Sequence, residues 1–276
     1  MSVNHKIDPG TKVDLRKIDP ESQGGLLKTD AAMHSARLGQ RLAYLADLLY
    51  FAGQHSVLIV LQGMDTSGKD GTIRCLLQSV NTQGAHVHPF KVPSHVEIAH
   101  DFLWRCHQKT PGKGEMSIFN RSYYEDVLVV RVHGLVPETK WSQRYEHINH
   151  FEKLLTDNET IVLKFFLHIS LDEQEQRLLE RENEVEKSWK LSVGDWKERV
   201  LWDDYQKAYE VAIEKCSTES APWQIIPANK KWYRNLAIMQ AIVDALEPYE
   251  KGWLTKLEEI GVKAKAELAV FKALPK

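Results

Sequence analysis

The residues from Gly63 to Lys69 have the types and the spacing of a phosphate-binding loop. Gly63 and Gly68 bracket four residues, and Lys69 follows directly. In this G-x-x-x-x-G-K spacing, backbone N–H groups and the N-terminus of the next helix converge on phosphate oxygens, and the lysine adds a mobile positive charge. An apolar run at residues 56–61 precedes the loop, and a helical pattern at residues 72–80 follows it. This context predicts a phosphate site between a buried strand and a helix.

A tight glycine turn between a strand and a helix would explain the two glycines, but not Asp65 and Lys69 together. Asp70 stands where Ser or Thr usually offers a hydroxyl to magnesium, so the metal must be held differently, and Asp65 is the first candidate. The residues expected to bind phosphate in this loop are Gly63, Met64, Thr66, Ser67, Gly68, Lys69 and Asp70.

A second polar cluster, residues 120–126, directly follows a short apolar run at residues 116–119. Arg121 at the end of that strand is expected to reach the transferred phosphoryl group, because its planar guanidinium contacts two phosphate oxygens and keeps its charge. Glu125 and Asp126 are candidate catalytic acids, with Asp126 joining Asp65 as a metal ligand. The alternative is that both acids are favourable charges at a helix N-terminus.

The segment from residue 171 to residue 216 is highly charged and helical, with an interruption near residues 191–194, and we interpret it as a lid. Arg177 or Arg181 would descend from it onto the transferred group when it closes, and Lys190 is another of its basic residues. For Arg177 and Arg181 the alternative is a solvated helix face. Their partners would then be acidic neighbours on the same helix, namely Glu173, Glu175 and Glu180.

The elements that must position these residues alternate between strand and helix. Near-continuous apolar strands indicate a parallel sheet covered on both faces, an α/β three-layer sandwich. We predict an irregular N-terminal arm over residues 1–28, a domain with the phosphate loop over residues 29–247 with its lid at about 182–210, and a helical tail over residues 248–276. Further strands are predicted at 85–92, 160–169 and 223–226, and further helices at 97–107, 141–156, 232–246 and 252–274.

Composition limits the classes of function. The 276 residues carry a formal net charge of −2, with 43% hydrophobic and 27% charged residues, as in a globular protein. The balanced charge argues against a broad nucleic-acid face, although it allows a local cationic channel. No apolar run approaches the ~18 residues needed to cross a bilayer, and three scattered cysteines fit a reducing compartment, so we expect a cytoplasmic protein with no membrane partner.

Four segments together resemble the polyphosphate kinase 2 family: residues 63–71, 119–127, 189–192 and 221–223. The resemblance implies a thymidylate-kinase-like P-loop fold with a helical lid. It also implies transfer of a terminal phosphoryl group from inorganic polyphosphate to a nucleoside phosphate with Mg²⁺, for which Mn²⁺ could substitute. The family's loop Asp falls on Asp65, its loop Lys on Lys69, its second-strand Arg on Arg121 and its lid Arg on Arg181.

Asn120 beside Arg121, the stretch at residues 229–234 and the single-domain length look most like class III members, which accept both AMP and ADP. ATP as product, guanine nucleotides and a homodimer or homotetramer are further expectations from the resemblance. Residues 184–188 are more acidic than in relatives, which bears on how tightly the lid would hold a long polyphosphate. The residues expected to bind the nucleotide are Phe90, Asn120, Arg121, Arg131 and Arg144.

Two other functions share the phosphate loop. An ATP-dependent kinase of a nucleotide or another small molecule would use the same P-loop with a different donor. A nucleotide-binding regulatory protein would use it without catalysis.

Overall fold

The computed structural model describes residues 5–183 and 193–274. Its centre is a six-stranded sheet in the order β1-β6-β5-β2-β4-β3. The neighbouring pairs among β2 to β6 are parallel, and β1 pairs antiparallel with β6. The strands are β1 (His5–Lys6), β2 (Ser56–Gln62), β3 (Ala85–Pro89), β4 (Met116–Asn120), β5 (Thr160–His168) and β6 (Trp223–Pro227).

The two central strands have the composition of strands covered on both faces. All seven residues of β2 are buried, and its register with β5 runs from Ser56 opposite Thr160 to Gln62 opposite Phe166. A strand that buries both faces has no alternation of polar and apolar side chains, so the continuous apolar run at residues 56–61 predicts a buried strand. The predicted parallel α/β sheet is confirmed.

Helices cover the sheet in two groups. Helix α11 contacts both α1 and α2, while α7 and α10 pack together. The longer helices are α1 (Lys28–Ala52), α2 (Lys69–Leu77), α7 (Arg144–Asp157), α8 (Leu171–Asn183), α9 (Val193–Val200), α10 (Trp202–Cys216), α11 (Lys231–Leu246) and α12 (Glu250–Ala273). The four-residue helices are α3 (His95–Ile98), α4 (Trp104–His107), α5 (Val129–Val132) and α6 (Glu138–Trp141).

The single helix predicted at residues 97–107 is wrong, because α3 and α4 are separate. A capping box between Ser94 and Glu97 starts α3. The Asp101 carboxylate then accepts hydrogen bonds from the backbone N–H groups of Leu103 (2.9 Å) and Trp104 (3.1 Å) and starts α4. Asp favours such local bonds over continuing a helix, so it divides the segment.

The N-terminal arm is more ordered than the irregular segment predicted. Besides β1, a short 3₁₀ helix spans Leu15–Lys17. Leu15 is fully buried, and its backbone N–H donates to Glu210 of α10 at 2.9 Å. The arm therefore extends the sheet edge and ties it to α10.

The C-terminal tail forms one helix of 24 residues, α12, whose bounds lie within two residues of the helix predicted at 252–274. Trp253 is fully buried and donates from Nε1 to His55 Nδ1 at 3.0 Å, which fixes the start of the helix on the domain. The second half is largely exposed. None of the described helices is both long and apolar enough to cross a membrane.

Candidate active site

The phosphate loop occupies the turn from β2 to α2, as its spacing predicts. Gly63 has φ of +153°, and a Cβ there would lie 2.8 Å from the carbonyl oxygen of Leu167 and 2.8 Å from Ser67 Oγ. Thr66 also has positive φ, at 65°. The Ser67 N–H donates to the Met64 carbonyl at 3.1 Å and closes the loop. The loop is thus tightly turned and packed against the end of β5.

Lys69 bends back over this loop. Its Nζ donates to the carbonyls of Gly63 (2.7 Å) and Met64 (3.2 Å), and the residue is only 8% exposed. Burial, together with the positive charge of Arg121, lowers the pKa of Lys69 to about 8. A buried ammonium group whose partners are neutral carbonyls is strongly stabilised when an anion binds beside it.

Three buried hydroxyls at the loop and the start of α2 have no hydrogen-bond partner among the described residues: Thr66 Oγ1, Ser67 Oγ and Thr72 Oγ1. Buried polar atoms are normally paired. A group of unpaired donors beside a lysine and a helix N-terminus is what a phosphate oxygen would satisfy. The loop therefore suits an oxyanion better than a neutral ligand.

Asp65, Arg121 and Glu125 come together in front of the loop. Arg121 Nη2 lies 2.7 Å from Asp65 Oδ1, and its Nη1 lies 3.6 Å from Glu125 Oε2. Burial raises the pKa of the Glu125 carboxyl, opposed by the charges of Arg121 and Lys69. The Asn120 amide donates to Asp70 Oδ1 at 2.9 Å, joining the end of β4 to the first turn of α2.

Asp126 lies in a different contact group. Its Oδ1 accepts from Arg144 Nη1 at 3.0 Å, and burial raises the pKa of its carboxyl, opposed by Arg144 and Arg105. The structure does not bring Asp126 together with Asp65 through a shared contact, in contrast to Glu125. The two acids predicted as a pair of metal ligands therefore contact different arginines.

The remaining residues predicted at the nucleotide pack with aromatic rings. The Arg144 guanidinium lies 4.9 Å from the ring centroid of Phe102, and that of Arg131 lies 4.9 Å from Trp141. Phe90 is 7% exposed, with its ring 4.7 Å from that of Phe119. Arginines beside exposed ring edges can contact both the phosphate and the base of a nucleotide.

Arg177 does not extend from a lid into the donor site as predicted, but packs against the phosphate loop. The side chain is 5% exposed, and it donates to the carbonyls of Thr66 (2.9 Å), Ala228 (2.8 Å) and Asn229 (2.8 Å). It also pairs with Glu173, the partner proposed in the alternative interpretation, but it is buried rather than solvated. Arg177 therefore holds the loop from behind.

Arg181 lies one turn further along α8 and is more exposed, at 21% of its side chain. Its Nη1 donates to Asp195 Oδ2 on α9 at 2.6 Å. Burial and the negative charge of Asp65 raise the pKa of Asp195, against Arg181 and Arg121, which places this pair near the loop. Lys190 and residues 184–188 lie outside the described residues.

Comparison with known proteins identifies the family. The model of the family described as polyphosphate kinase 2 matches residues 26–252. The chain belongs to the polyphosphate kinase 2 family. An AMP/ADP-polyphosphate phosphotransferase of Meiothermus ruber is 53% identical over 247 residues, covering 88% of this chain and 92% of that protein. An ADP-polyphosphate phosphotransferase of Rhodopseudomonas palustris is 41% identical over 263 residues, covering 88% of each.

A crystal structure of polyphosphate kinase 2 from Arthrobacter aurescens matches this family member with a TM-score of 0.84 at 43% identity, covering 86% of each chain. The predicted family and its P-loop kinase fold are therefore confirmed. The individual site residues remain predictions supported by their positions in this structure.

The sequence did not predict several residues that the structure places at the site. Tyr209 Oη lies 3.5 Å from Gln62 Oε1, and Gln62 Nε2 donates to Ser122 Oγ at 3.1 Å, so β2, α10 and the segment after β4 meet beneath Glu125. Arg234 of α11 reaches the loop from behind, with Nη1 3.3 Å from the Ser67 carbonyl. Only the polar Gln62 at the end of an otherwise apolar strand gave a local signal in the sequence.

Proposed function

We propose that this protein transfers the terminal phosphoryl group of inorganic polyphosphate to AMP and to ADP, giving ADP and ATP. The observation that carries the proposal is the convergence of Lys69, Asp65 and Arg121 on a loop with unpaired buried hydroxyls. Family membership supports the reaction class, and the names of the relatives from Meiothermus ruber and Rhodopseudomonas palustris support the choice of substrates.

In the proposed reaction, a phosphate oxygen of the acceptor attacks the terminal phosphorus of the donor. The new P–O bond forms as the anhydride bond to the next phosphate breaks, and the shortened polyphosphate leaves with the electron pair. The acceptor oxygen is already ionised near neutral pH, so no strong general base is required. Catalysis then depends on positioning and on positive charge around the transferred group.

Lys69 and the loop would hold the terminal phosphates of the donor, and Arg121 would contact the group in transfer. Because Arg121 is 40% exposed and the Asp65 carboxylate it pairs with is 25% exposed, Arg121 can turn from Asp65 toward a phosphate while water solvates the carboxylate. Its charge acts most strongly in the transition state, where negative charge spreads over the equatorial oxygens. Arg144 and Arg131 would hold the acceptor.

A magnesium ion fits these residues as an ion shared with the substrates. Among the described residues, no three His, Cys, Asp or Glu side chains cluster to form an all-protein metal site. Mg²⁺ commonly binds through one or two carboxylates together with phosphates and water, and the Asp65 carboxylate, 25% exposed, is the ligand we propose, with Glu125 beside the same arginine. The ion would supply neutralisation of phosphate charge, and Mn²⁺ would serve in the same way.

Arg181 would bind the donor chain after its ion pair with Asp195 opens. Lys190, which lies outside the described residues, would contribute a further positive charge. Exclusion of water matters here, because an open site would hydrolyse polyphosphate instead of transferring the group. We also propose guanine nucleotides as weaker acceptors, a homodimer or homotetramer, and a cytoplasmic location.

The decisive experiment is a donor-by-acceptor activity matrix. Purified full-length protein with Mg²⁺ is given polyphosphate or ATP as donor and AMP, ADP, GMP or GDP as acceptor, and the products are separated by ion-exchange chromatography. With polyphosphate as donor, we expect AMP to give ADP and ATP, and ADP to give ATP. Lys69→Ala should remove these products while leaving the melting temperature close to that of the natural protein.

Two outcomes would contradict the proposal. Transfer from ATP but not from polyphosphate would indicate an ATP-dependent kinase. Binding of nucleotide without turnover from either donor would indicate a regulatory protein.

A further inference from the structure

Two buried arginines donate to carbonyls of the phosphate loop that Lys69 does not contact. Arg177 of α8 donates to the Thr66 carbonyl, and Arg234 of α11 donates from Nη1 to the Ser67 carbonyl at 3.3 Å. The two residues are 5% and 3% exposed. Consecutive carbonyls of the loop are therefore bound by cations from two different helices.

The carbonyl contacts determine where the following N–H groups point. In a trans peptide the C=O and the next N–H are antiparallel. The peptide held by Arg177 aims the Ser67 N–H at the Met64 carbonyl and closes the loop. The peptide held by Arg234 aims the Gly68 N–H away from α11, toward the side on which a phosphate would bind. Arg234 thus acts on the N–H that immediately precedes Lys69.

Gly68 is shaped to receive this arginine. It has φ of +99°, and a Cβ at that position would lie 1.7 Å from Arg234 Nη1 and 2.7 Å from its Cζ. Gly71, one turn into α2, would bring a Cβ to 3.1 Å from Arg234 Nη2. The guanidinium therefore fills space that two glycines leave at the N-terminus of α2.

Neutral oxygens meet the donors of Arg234: besides Ser67, the Asn235 side-chain Oδ1 accepts from Nε (3.1 Å) and Nη2 (2.8 Å). Burial and the nearby charge of Arg177 lower the pKa of Arg234 to about 10, so the side chain stays charged near neutral pH. A buried positive charge behind a helix N-terminus adds to the attraction that the helix dipole exerts on an anion.

We propose that Arg234 is a positioning residue for the phosphoryl donor: its guanidinium orients the Ser67–Gly68 peptide and places a fixed positive charge behind the phosphate loop. This inference rests on the proposed function, in which the donor's terminal phosphates occupy the loop. It assigns to Arg234 an effect on the donor and not on the nucleotide acceptor.

The test compares Arg234→Met and Arg234→Lys with Arg105→Met as the matched control. Arg105 is also a buried arginine, 7% exposed, whose Nη1 donates to the backbone carbonyl of Lys91 at 2.8 Å, but its guanidinium packs 5.5 Å from the ring centroid of Phe90 and not against a carbonyl of the loop. The measurements are the KM values for polyphosphate and for AMP, kcat, the melting temperature, and calorimetric binding of inorganic tripolyphosphate to the full chain with Mg²⁺.

We expect Arg234→Met to raise the donor KM and to weaken tripolyphosphate binding by about tenfold or more, as loss of a charge-assisted hydrogen bond predicts. The KM for AMP should change less than about twofold, because Arg234 contacts the phosphate loop and not the residues proposed to hold the acceptor. Arg234→Lys should recover part of the loss, because it restores the charge without the fork. Arg105→Met should lower the melting temperature with no change in the donor KM.

The inference is overturned if Arg234→Met and Arg105→Met lower the melting temperature alike and neither changes the donor KM, or if the KM values for donor and AMP rise together. Lys69→Ala separates this result from failure of the proposed function. If Lys69→Ala leaves donor binding intact, the donor does not occupy the loop. If Lys69→Ala abolishes binding while Arg234→Met does not weaken it, only the role of Arg234 is wrong.

Discussion

The arginines around the phosphate loop fall into two groups that differ in the partners of their guanidinium groups. The loop-backing arginines, Arg177 and Arg234, are buried and donate to backbone carbonyls of the loop, although Arg177 also pairs with Glu173 on its own helix. The carboxylate-paired arginines are Arg121 with Asp65, Arg144 with Asp126 and Arg181 with Asp195, and their side chains are 19% to 40% exposed.

This difference separates residues that shape the site from residues that can bind a substrate. A backbone carbonyl in a buried loop cannot move into solvent, so losing the arginine that donates to it would leave the carbonyl without a hydrogen bond. A partly exposed carboxylate can be replaced by a phosphate oxygen and then be solvated. A positive charge paired with a carboxylate at the surface of a site is therefore available to a polyanion, whereas one paired with the loop is part of the loop.

The largest effect should come from Arg121, the carboxylate-paired arginine nearest Lys69. We expect Arg121→Met to lower kcat by about 10³-fold or more, because an arginine on the transferred phosphoryl acts mainly in the transition state. The melting temperature should change little, since the ion pair it loses is 40% exposed on the arginine side and such pairs contribute about 1 kcal/mol or less. Steady-state kinetics and thermal unfolding measure the two quantities.

Arg121→Lys is the control for this prediction and should recover only part of kcat, because lysine lacks the planar fork. Both variants keep a side chain at φ of +63°, so the backbone strain at this position is matched. A fall in melting temperature in proportion to the activity loss would mean that Arg121 shapes the site as the loop-backing arginines do.

The ion pair between Lys164 and Glu152 is a buried counterpart of the partly exposed pairs at the site. If burial decides whether an arginine or lysine can exchange its carboxylate partner, breaking this buried pair should cost far more stability than breaking an exposed one. Lys164 is 0% exposed, lies 2.6 Å from Glu152 Oε2 and donates to the Cys216 carbonyl at 2.5 Å. Glu152 Oε1 accepts from the hydroxyls of Tyr123 and Tyr124, both at 2.9 Å. We expect Lys164→Met to lower the free energy of unfolding by about 3–5 kcal/mol, because it leaves a buried carboxylate unpaired.

The double variant Lys164→Met with Glu152→Gln should recover part of that loss in urea unfolding, because no buried charge then remains. If the single variant loses less than about 1 kcal/mol, as exposed pairs do, then burial does not distinguish this pair from those at the site.

The pH dependence of donor use should report the charge of Lys69. A lysine loses its proton as pH rises, and its pKa in the free protein is lowered to about 8 by burial. We therefore expect kcat/KM for polyphosphate to fall about tenfold per pH unit above this value, since that parameter follows the free enzyme. kcat at saturating donor should decline only at higher pH, because a bound polyanion favours the charged lysine.

Lys69→Arg is the control for the pH profile, because arginine keeps its charge throughout the range. The alkaline decline of kcat/KM should be absent in this variant, whatever its absolute activity. A decline that persists unchanged in Lys69→Arg would assign the titration to another group or to the donor.

The parts of the site that depend on local spacing could be predicted from the sequence. The loop from Gly63 to Lys69 and the polar run containing Arg121 each place their chemistry within a few residues, and parallel strands bring both to one edge of the sheet. The sheet itself followed from apolar runs too continuous for one-sided strands.

The parts that depend on tertiary packing could not be predicted in this way. Arg177 and Arg181 lie one turn apart on the same helix, yet one is 5% exposed and held by carbonyls and the other is 21% exposed and paired with Asp195. Helical periodicity does not show how deep each position lies. Arg234 follows Gly68 by more than half of the chain, and only the fold brings its guanidinium to the space that the glycine leaves.

The smallest expected effect concerns the pair of Arg181 and Asp195, and it gives the most direct test of partner exchange. If the donor replaces Asp195 as the partner of Arg181, Asp195 competes with the donor. Asp195→Asn should then lower the KM for polyphosphate by about 2- to 5-fold, the equivalent of up to ~1 kcal/mol for a partly exposed pair.

Asp204→Asn removes the same charge from an exposed position on α10 and controls for general electrostatics. Addition of Arg181→Met to Asp195→Asn should abolish the gain, because no cation is then released. An unchanged or higher donor KM in Asp195→Asn, with an unchanged value in Asp204→Asn, would show that the pair fastens α9 to α8 and does not open for the donor, and Arg181 would then belong with the arginines that shape the site.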